Sequence, residues 1–429
     1  MPQPTHPAHQ HPCGWNAQLP PRSASPALNG GAQADVVIIG AGFTGVAAAR
    51  RWHQVRPDDR IVLLDAETLG EGSPGRNSGF MLEVALANDA SPDQLERMSR
   101  LNALSRRTMT LLRRLVEEHA IDCQLEHSGT FRGARSDIGR RALDRYAAFL
   151  QAAELPHHWL SAEQMHQHIG THYYRHGIYS PDCSLVQPAA LIRGLVDALS
   201  PDITLYENSP ATSVVRHGRQ WLVTTDDGEV QAPRVLLANN AFARALGADR
   251  SRLTAIYTYA AVTEVLDQAS RDRLMPRQWG LLPAHRLGCT LRSTADGRLM
   301  IRSRYSYERE EDNGRIEQKL LDSLHRRYPD LDISGFDASW GGSTGLTHNG
   351  APLWGQIQPG LFVSAGCNGG GIVKGTFLGD ALARLALDQD VEDIDSLFGR
   401  ADWMPPEPFR RGAFHLIAAW ERRRAAPET

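Results

Sequence analysis

The sequence predicts an α/β fold: a Rossmann-like domain built on a parallel sheet, interleaved with a second domain built on an antiparallel sheet. Three stretches carry this expectation. Residues 35–40, DVVIIG, form an unbroken apolar run that enters the glycine turn Gly40-Ala41-Gly42-Phe43-Thr44-Gly45. A strand buried on both faces of a parallel sheet reads this way. Residues 361–365, LFVSA, run into Gly366, Cys367, Asn368 and Gly369–Gly371, and a helical pattern with Leu378, Ala381, Leu382 and Leu385 follows. Between them, LTAIYTYAAVTEVL (253–266) and GRLMIRSRYSYE (297–308) are long, β-branched and aromatic, as antiparallel strands are.

With 429 residues the chain has ample volume for a buried core, and 41% hydrophobic with 22% charged residues is ordinary for a globular protein. A net charge of -3 recommends neither nucleic acid nor an anionic membrane as partner. The longest apolar run, 36–49, holds three glycines and is too short to span a bilayer. Five cysteines (Cys13, Cys123, Cys183, Cys289 and Cys367) lie scattered, without metal-binding spacing, which suits a reducing, cytoplasmic compartment. Lysine occurs only at Lys319 and Lys374, so a lysine just after the second glycine turn stands out.

Residues 1–33, rich in Pro, His, Gln, Ala and Ser, show no periodicity and read as a disordered tail, with His6, His9 and His11 a minor metal-binding possibility. No basic start followed by an apolar core marks a secretory signal. From residue 34 the order strand, glycine turn, helix, strand ends on Asp65, twenty residues past Gly45. This is the full context of a dinucleotide fingerprint. Gly40 permits the tight turn, Gly42 lets a pyrophosphate approach the backbone, and Gly45 lets helix and strand pack closely. The Asp65 carboxylate suits a ribose 2′-OH. The motif does not by itself choose NAD over FAD. Gly70–Gly79 is a glycine-rich loop with one arginine, Arg76, suited to a pyrophosphate or a flat ring. Helices are expected over 93–119, 140–153, 188–199, 316–327 and 409–424, and strands at 129–134, 203–206, 221–225 and 235–242.

The second glycine turn is ready for an anion: a strand ending in bare backbone and opening a helix leaves N–H groups and a positive dipole end facing a cavity.

With both turns in place, the chain resembles the D-amino-acid oxidase superfamily of FAD enzymes, nearest to its gamma-glutamylputrescine oxidase and sarcosine/glycine oxidase branch. The likeness covers most of residues 34–390. It is carried by IIGAGFTGVAAAR, the strand ending at Asp65, SPGRNSGF, NSPATSV, VLLANNAF, YTYAAVTEVL, DGRLMIRSRYSYE and the Trp340–Gly379 run, all in the family's order. It implies an FAD-binding domain of residues 34–92, 184–250 and 345–390, a substrate domain of 93–183 and 251–344, and a C-terminal tail of 391–429 with one helix. It also implies that Gly40, Gly42, Phe43, Thr44 and Gly45 meet the FAD pyrophosphate and that Asp65 and Ala66 meet the adenosine ribose. Arg76, Asn77, Ser78 and Gly79 would run along pyrophosphate and isoalloxazine, and the Ala211 backbone would touch adenine. Gly366, Asn368, Gly369, Gly370, Gly371, Ile372 and Lys374 would border the pyrimidine edge of the flavin.

Three departures from the family's pattern stand out. Gly370 replaces the histidine of a Gly-His-Gly turn. Arg302 stands where the family's strand often has glycine. GSTGLTHNG offers no cysteine to tether a flavin in the manner of monomeric sarcosine oxidases.

The chemistry implied is oxidation of a C–N bond in an amine or amino acid, with oxygen or an electron carrier taking the electrons. No nucleophile is needed, so substrate holders are sought: Tyr257, Tyr259, Arg292, Arg302, Arg304, Tyr305, Trp340 and His348, with Lys374 beside the flavin. Strand alternation puts Met300, Arg302 and Arg304 on one face, and paired arginines favour an anionic substrate group. A flavin dehydrogenase, a 2-hydroxy-acid oxidoreductase and a non-catalytic FAD-binding subunit stay open as alternatives.

Overall fold

The computed structural model describes residues 4–82 and 95–428; the expected domain boundary at 92–93 lies outside them. A six-stranded sheet forms the centre, in the order Leu353–Gln358, Leu361–Ala365, Arg234–Leu237, Val36–Ile39, Ile61–Leu64, Ile203–Tyr206. All its pairs are parallel except the first. Val36–Ile39, Ile61–Leu64 and Leu361–Ala365 are buried at every position, which is why they read as continuous apolar runs. Alternation divides Val36–Ile39 between two cores. Val36 and Ile38 pack with the helices Phe43–Val55 and Val373–Ala386, while Val37 and Ile39 face Trp221, Val223 and Val230 of a small four-stranded sheet.

The second large sheet has eight strands, ordered Ala338–Leu346, Thr254–Val262, Leu299–Tyr307, Thr290–Ser293, Gly280–Pro283, Thr130–Ala134, His176–Ser180, His158–Ser161. It is antiparallel apart from the contact of Gly280–Pro283 with Thr130–Ala134. One face is covered by Asn313–Arg327 through Ile316, Leu320 and Leu324. The other meets the parallel-sheet body, where Val262, Met300 and Trp340 pack with Cys13, Trp15 and Ala189.

Three expectations change. VLLANNAF does not continue as strand to residue 242. The strand stops at Leu237 and Asn240–Ala245 forms a 3-10 turn, because Asn240 adopts φ 50° and turns its amide toward the second glycine turn. The 70–79 loop contains a short helix, Ser73–Arg76, with Pro74 in its first turn, where the fixed φ of proline is suited.

The third change is the largest. Residues 1–33 are not a loose tail over their described part. Gly14–Ala17 is a helical turn, Gly30–Gln33 is a strand beside Gly228–Ala232, and Trp15 is 1% exposed. Arg22 clasps the buried Glu207 with both Nη atoms, at 2.6 and 2.9 Å, and Leu28 N donates to Ser209 Oγ at 2.8 Å. The segment shows no periodicity because single anchors, widely spaced, hold it to the body; periodicity reports only segments that bury a face of their own element.

Among the described residues, no helix is long and apolar enough to cross a membrane, and no cluster of His, Cys, Asp and Glu has the arrangement of a metal site.

Candidate active site

The Gly40 turn lies at the carboxyl end of the central parallel strands, where such sheets open a crevice. Gly40 has φ 105°, and a β-carbon on Gly45 would lie 1.8 Å from the Gly40 carbonyl oxygen. The helix that follows begins at Phe43 without a side-chain cap, so its first N–H groups and dipole face the crevice. Asp65 closes the turn: Oδ2 accepts from Ala41 N at 2.8 Å and Oδ1 from Glu67 N at 3.1 Å. Desolvation pushes the Asp65 carboxyl up to about 6, and the Glu67 carboxyl, whose Oε2 has no partner among the described residues, up to about 7. Ala66 lies between them in the chain, Thr44 follows Phe43 in the helix, and Ala211 is buried in one apolar cluster with Val37 and Leu64.

Pro74 abuts the turn, 2.9 Å from where a Gly42 β-carbon would be. The loop through Arg76 to Gly79 then leads to the eight-stranded sheet. Arg76 is taken up by protein groups: Nη1 donates to Gly341 O at 2.9 Å, Nη2 to His11 O at 2.8 Å and to Glu71 Oε2 at 3.2 Å. Asn77 accepts the Trp15 indole N–H at 2.9 Å, and its own side chain turns the loop by accepting from Gly79 N. Ser78 Oγ is buried with no hydrogen-bond partner among the described residues. At Gly79, with φ 74°, a β-carbon would strike Val186 O at 2.1 Å and Arg292 Nη1 at 2.4 Å.

The second glycine turn is pinned by a residue to which sequence reasoning gave no role. Asn240 Oδ1 accepts from Gly366 N at 2.9 Å and Cys367 N at 3.4 Å. Asn368, with φ 51°, braces Thr347 and Gly350 through its side chain. Around Gly369 and Gly371 a β-carbon would meet nothing within 4 Å, and around Gly370 nothing nearer than 3.6 Å, so this backbone borders open space. Ile372 is buried and caps the Val373–Ala386 helix without a side-chain bond. Lys374 Nζ reaches Gly350 O at 3.2 Å and lies 4.9 Å from the Phe398 ring centre. His348 is exposed two residues before Gly350, so it joins this corner rather than the sheet.

Of the sheet residues, Arg302 and Trp340 share a row: both pair with Ala260, from opposite sides, so all three point to one face. That face meets the glycine loop, since Trp340 Nε1 donates to Arg76 O at 3.1 Å and its ring sits edge-on to Trp15 at 5.8 Å. Arg302 is half-buried, and among the described residues its guanidinium has no hydrogen-bond or ion-pair partner.

Arg292 lies on the same face but is fully buried, donating to Ser78 O at 3.1 Å and Val186 O at 2.7 Å. Desolvation lowers its pKa to about 10. It ties the sheet to the glycine loop.

Arg304 does not share the face of Arg302. The register shifts between Thr258 and Tyr259, which pair with Tyr305 and Ser303, leaving Arg304 unpaired at φ 62°. Such a bulge reverses alternation, and Arg304 Nη2 turns to Lys319 O and Ser323 Oγ of the covering helix. Tyr257 and Tyr259 belong to that helix-covered face; Tyr259 Oη is bonded to Ser306 Oγ at 2.6 Å. Tyr305 Oη donates outward to Arg286 O.

Glu67, Glu71, Asn239 and Asn240 are crevice residues that sequence reasoning did not assign. Position held one signal: Asn239 and Asn240 follow the carboxyl end of a parallel strand, where the crevice opens. Asn239 lies against Gly40, with its Cα 3.2 Å from the ideal β-carbon of that glycine, and its Oδ1 is buried without a partner among the described residues. Uncapped helix starts, unpartnered polar oxygens at Glu67, Ser78 and Asn239, and open backbone at Gly369–Gly371 fit an extended ligand carrying both phosphate and a polar ring. FAD is such a ligand.

Comparison with known proteins agrees. Residues 35–385 match the family model DAO, described as FAD dependent oxidoreductase. A probable oxidoreductase OrdL of Rhizobium meliloti is 27% identical over 385 residues, covering 88% of this chain and 89% of that protein. The gamma-glutamylputrescine oxidoreductase of Escherichia coli is 25% identical over 404 residues, covering 90% of each. Among solved structures, a glycine oxidase from Geobacillus kaustophilus superposes with a TM-score of 0.74 at 21% identity, covering 87% of this chain and all of that one. This chain belongs to the DAO family of FAD-dependent oxidoreductases.

Proposed function

We propose that the protein oxidises a C–N bond in an amino acid or a related carboxylate-bearing amine, giving an imine that water hydrolyses, with oxygen as acceptor and hydrogen peroxide as product. FAD supplies the hydride acceptor when bound. The chain's own residues bind, orient and shield. Phe43, Thr44 and the Gly40–Gly45 backbone hold the pyrophosphate, Asp65 and Ala66 the ribose, and the Ala211 backbone the adenine. The Arg76–Gly79 backbone and the Gly366–Lys374 turn border the ring. The Val373–Ala386 helix start, with Lys374 one residue in, favours negative charge developing beside Gly369–Gly371.

The observation that carries the substrate class is Arg302, half-buried on the sheet face that meets the glycine loop, with a guanidinium that has no partner among the described residues. A guanidinium so placed receives a carboxylate bidentately. Trp340, in the same row, is fully buried and braces the Arg76 carbonyl of the glycine loop. The named activity of the Escherichia coli relative supports a nitrogen-bearing substrate. Five free cysteines, four of them buried, support a reducing, cytoplasmic setting.

A peroxidase-coupled assay of the FAD-loaded protein against amino acids, decarboxylated amines and 2-hydroxy acids tests this reading. Peroxide released with amino acids and not with the matching amines is the expected result. Turnover confined to 2-hydroxy acids would overturn it, and turnover only with an artificial electron acceptor would move the protein to the dehydrogenases.

A further inference from the structure

The helix Phe409–Arg424 contains no buried residue. Phe409, Leu416, Ile417 and Trp420 are 71%, 74%, 54% and 55% exposed. Their spacing puts them on one stripe of the helix. The flank beside that stripe is fastened to the body: Glu421 meets His285 at 3.0 Å and Arg286 at 2.8 Å, and Arg410 Nη1 donates to Arg250 O and Leu253 O at 3.2 Å. Phe414 packs on Tyr307 with ring centres 5.2 Å apart. The helix is therefore held in place with its apolar stripe turned outward, the reverse of the usual orientation for an amphipathic helix. Trp403, 59% exposed, lies just before it.

Charge separates the possible occupants. The helix carries five arginines and one glutamate in a chain whose net charge is -3, and the glutamate faces the body. Arg422, Arg423 and Arg424 are exposed, and Arg424 lies over the Trp420 ring at 4.4 Å. The outward side thus combines aromatic and aliphatic groups with concentrated positive charge. A second copy of this chain is a poor occupant. Two-fold pairing through the stripe in antiparallel fashion would bring Arg410 and Arg411 toward the partner's arginine-rich end, like charge against like charge.

We propose that Phe409–Arg424 docks the protein on an anionic lipid surface. The helix lies in the plane of the bilayer with Phe409, Leu416, Ile417 and Trp420 among the headgroups and Arg422–Arg424 beside lipid phosphates. Such attachment is peripheral and needs no span.

The test is co-sedimentation of the full FAD-loaded protein with phosphatidylcholine vesicles, with and without phosphatidylglycerol. The protein is expected to sediment with the anionic vesicles alone, and added salt should release it. The double variant Leu416→Glu, Trp420→Glu should lose binding, and the triple variant Arg422→Gln, Arg423→Gln, Arg424→Gln should bind about a hundredfold more weakly. Both should keep the flavin absorbance and thermal midpoint of the parent, since every changed residue is exposed. Failure of the parent to sediment with anionic vesicles overturns the proposal, as does equal binding by the variants. A concentration-dependent dimer that Leu416→Glu dissociates would assign the stripe to self-association and overturn it too.

Discussion

A β-carbon on Gly379 would lie 2.0 Å from the carbonyl oxygen of Thr44. The helix after the second glycine turn thus rests directly on the backbone of the helix after the first. Gly375, one turn earlier, faces the Thr44 side chain instead, with Oγ1 2.9 Å from its ideal β-carbon. A carbonyl oxygen within a helix cannot retreat, whereas a hydroxyl can rotate. Gly379→Ala should therefore destabilise the protein by roughly 1–3 kcal/mol, as overpacking does, and weaken FAD retention by parting the two turns. Gly375→Ala should cost less. Thermal unfolding and flavin content of the two variants decide this; equal midpoints would refute the close approach.

Arg302→Ala should raise KM for a carboxylate-bearing substrate roughly tenfold to a hundredfold, the loss expected for hydrogen bonds to a charged group, with less effect on kcat. Arg302→Lys should recover part of the loss, since an ammonium keeps the charge without the fork. Arg304→Ala should leave KM unchanged, because the bulge turns Arg304 to the covering helix. Steady-state kinetics on one amino acid and its decarboxylated amine measure both. An unchanged KM in Arg302→Ala would sink the anionic-site reading.

Trp15→Ala should cost about 3–5 kcal/mol, as truncation of a buried aromatic does, although Trp15 lies in a segment with the composition of a disordered tail. Trp403→Ala, at an exposed position, should stay within about 0.5 kcal/mol of the parent. Denaturant unfolding of the pair separates an anchored strap from a loose tail.

Glu67→Gln should stabilise the FAD-free protein in a pH-dependent way. The folded carboxyl is raised to about 7 by burial, above its ordinary 4.5, so the folded state holds a proton that the unfolded state has already lost between these values. Stability therefore falls as pH rises from about 4.5 to 7, and above 7 the buried charge bears its full cost. The glutamine variant escapes this loss. It should match the parent at pH 4 and exceed it at pH 8 by about 1 kcal/mol, discounted for the partial exposure of Glu67. Thermal midpoints across that range are the measurement.

Local pattern made the parallel strands readable, because Val36–Ile39 is apolar at every position, Leu361–Ala365 at all but Ser364, and a glycine follows each. The antiparallel strands were legible for a similar reason. Three things were not. The anchors of residues 4–33 have partners far along the chain, as Arg22 has in Glu207 and Trp15 in Asn77. The bulge at Arg304 depends on how Thr254–Val262 registers with its neighbour, and no single strand encodes that. The roles of Asn239 and Asn240 appear only once the Gly40 and Gly366 turns are neighbours.

The sequence by itself determined the fold class and the two glycine turns, because each follows from residue types in short, ordered stretches, while FAD came from the family resemblance that those stretches carry in order. Only the tertiary structure decided which arginine is available to a substrate. Arg292, Arg302 and Arg304 are alike in composition and lie on neighbouring strands, and what separates them is partnership. Burial binds Arg292 to two carbonyl oxygens, a bulge turns Arg304 to a helix, and Arg302 alone of the three keeps a guanidinium without a partner among the described residues, on the face that meets the glycine loop.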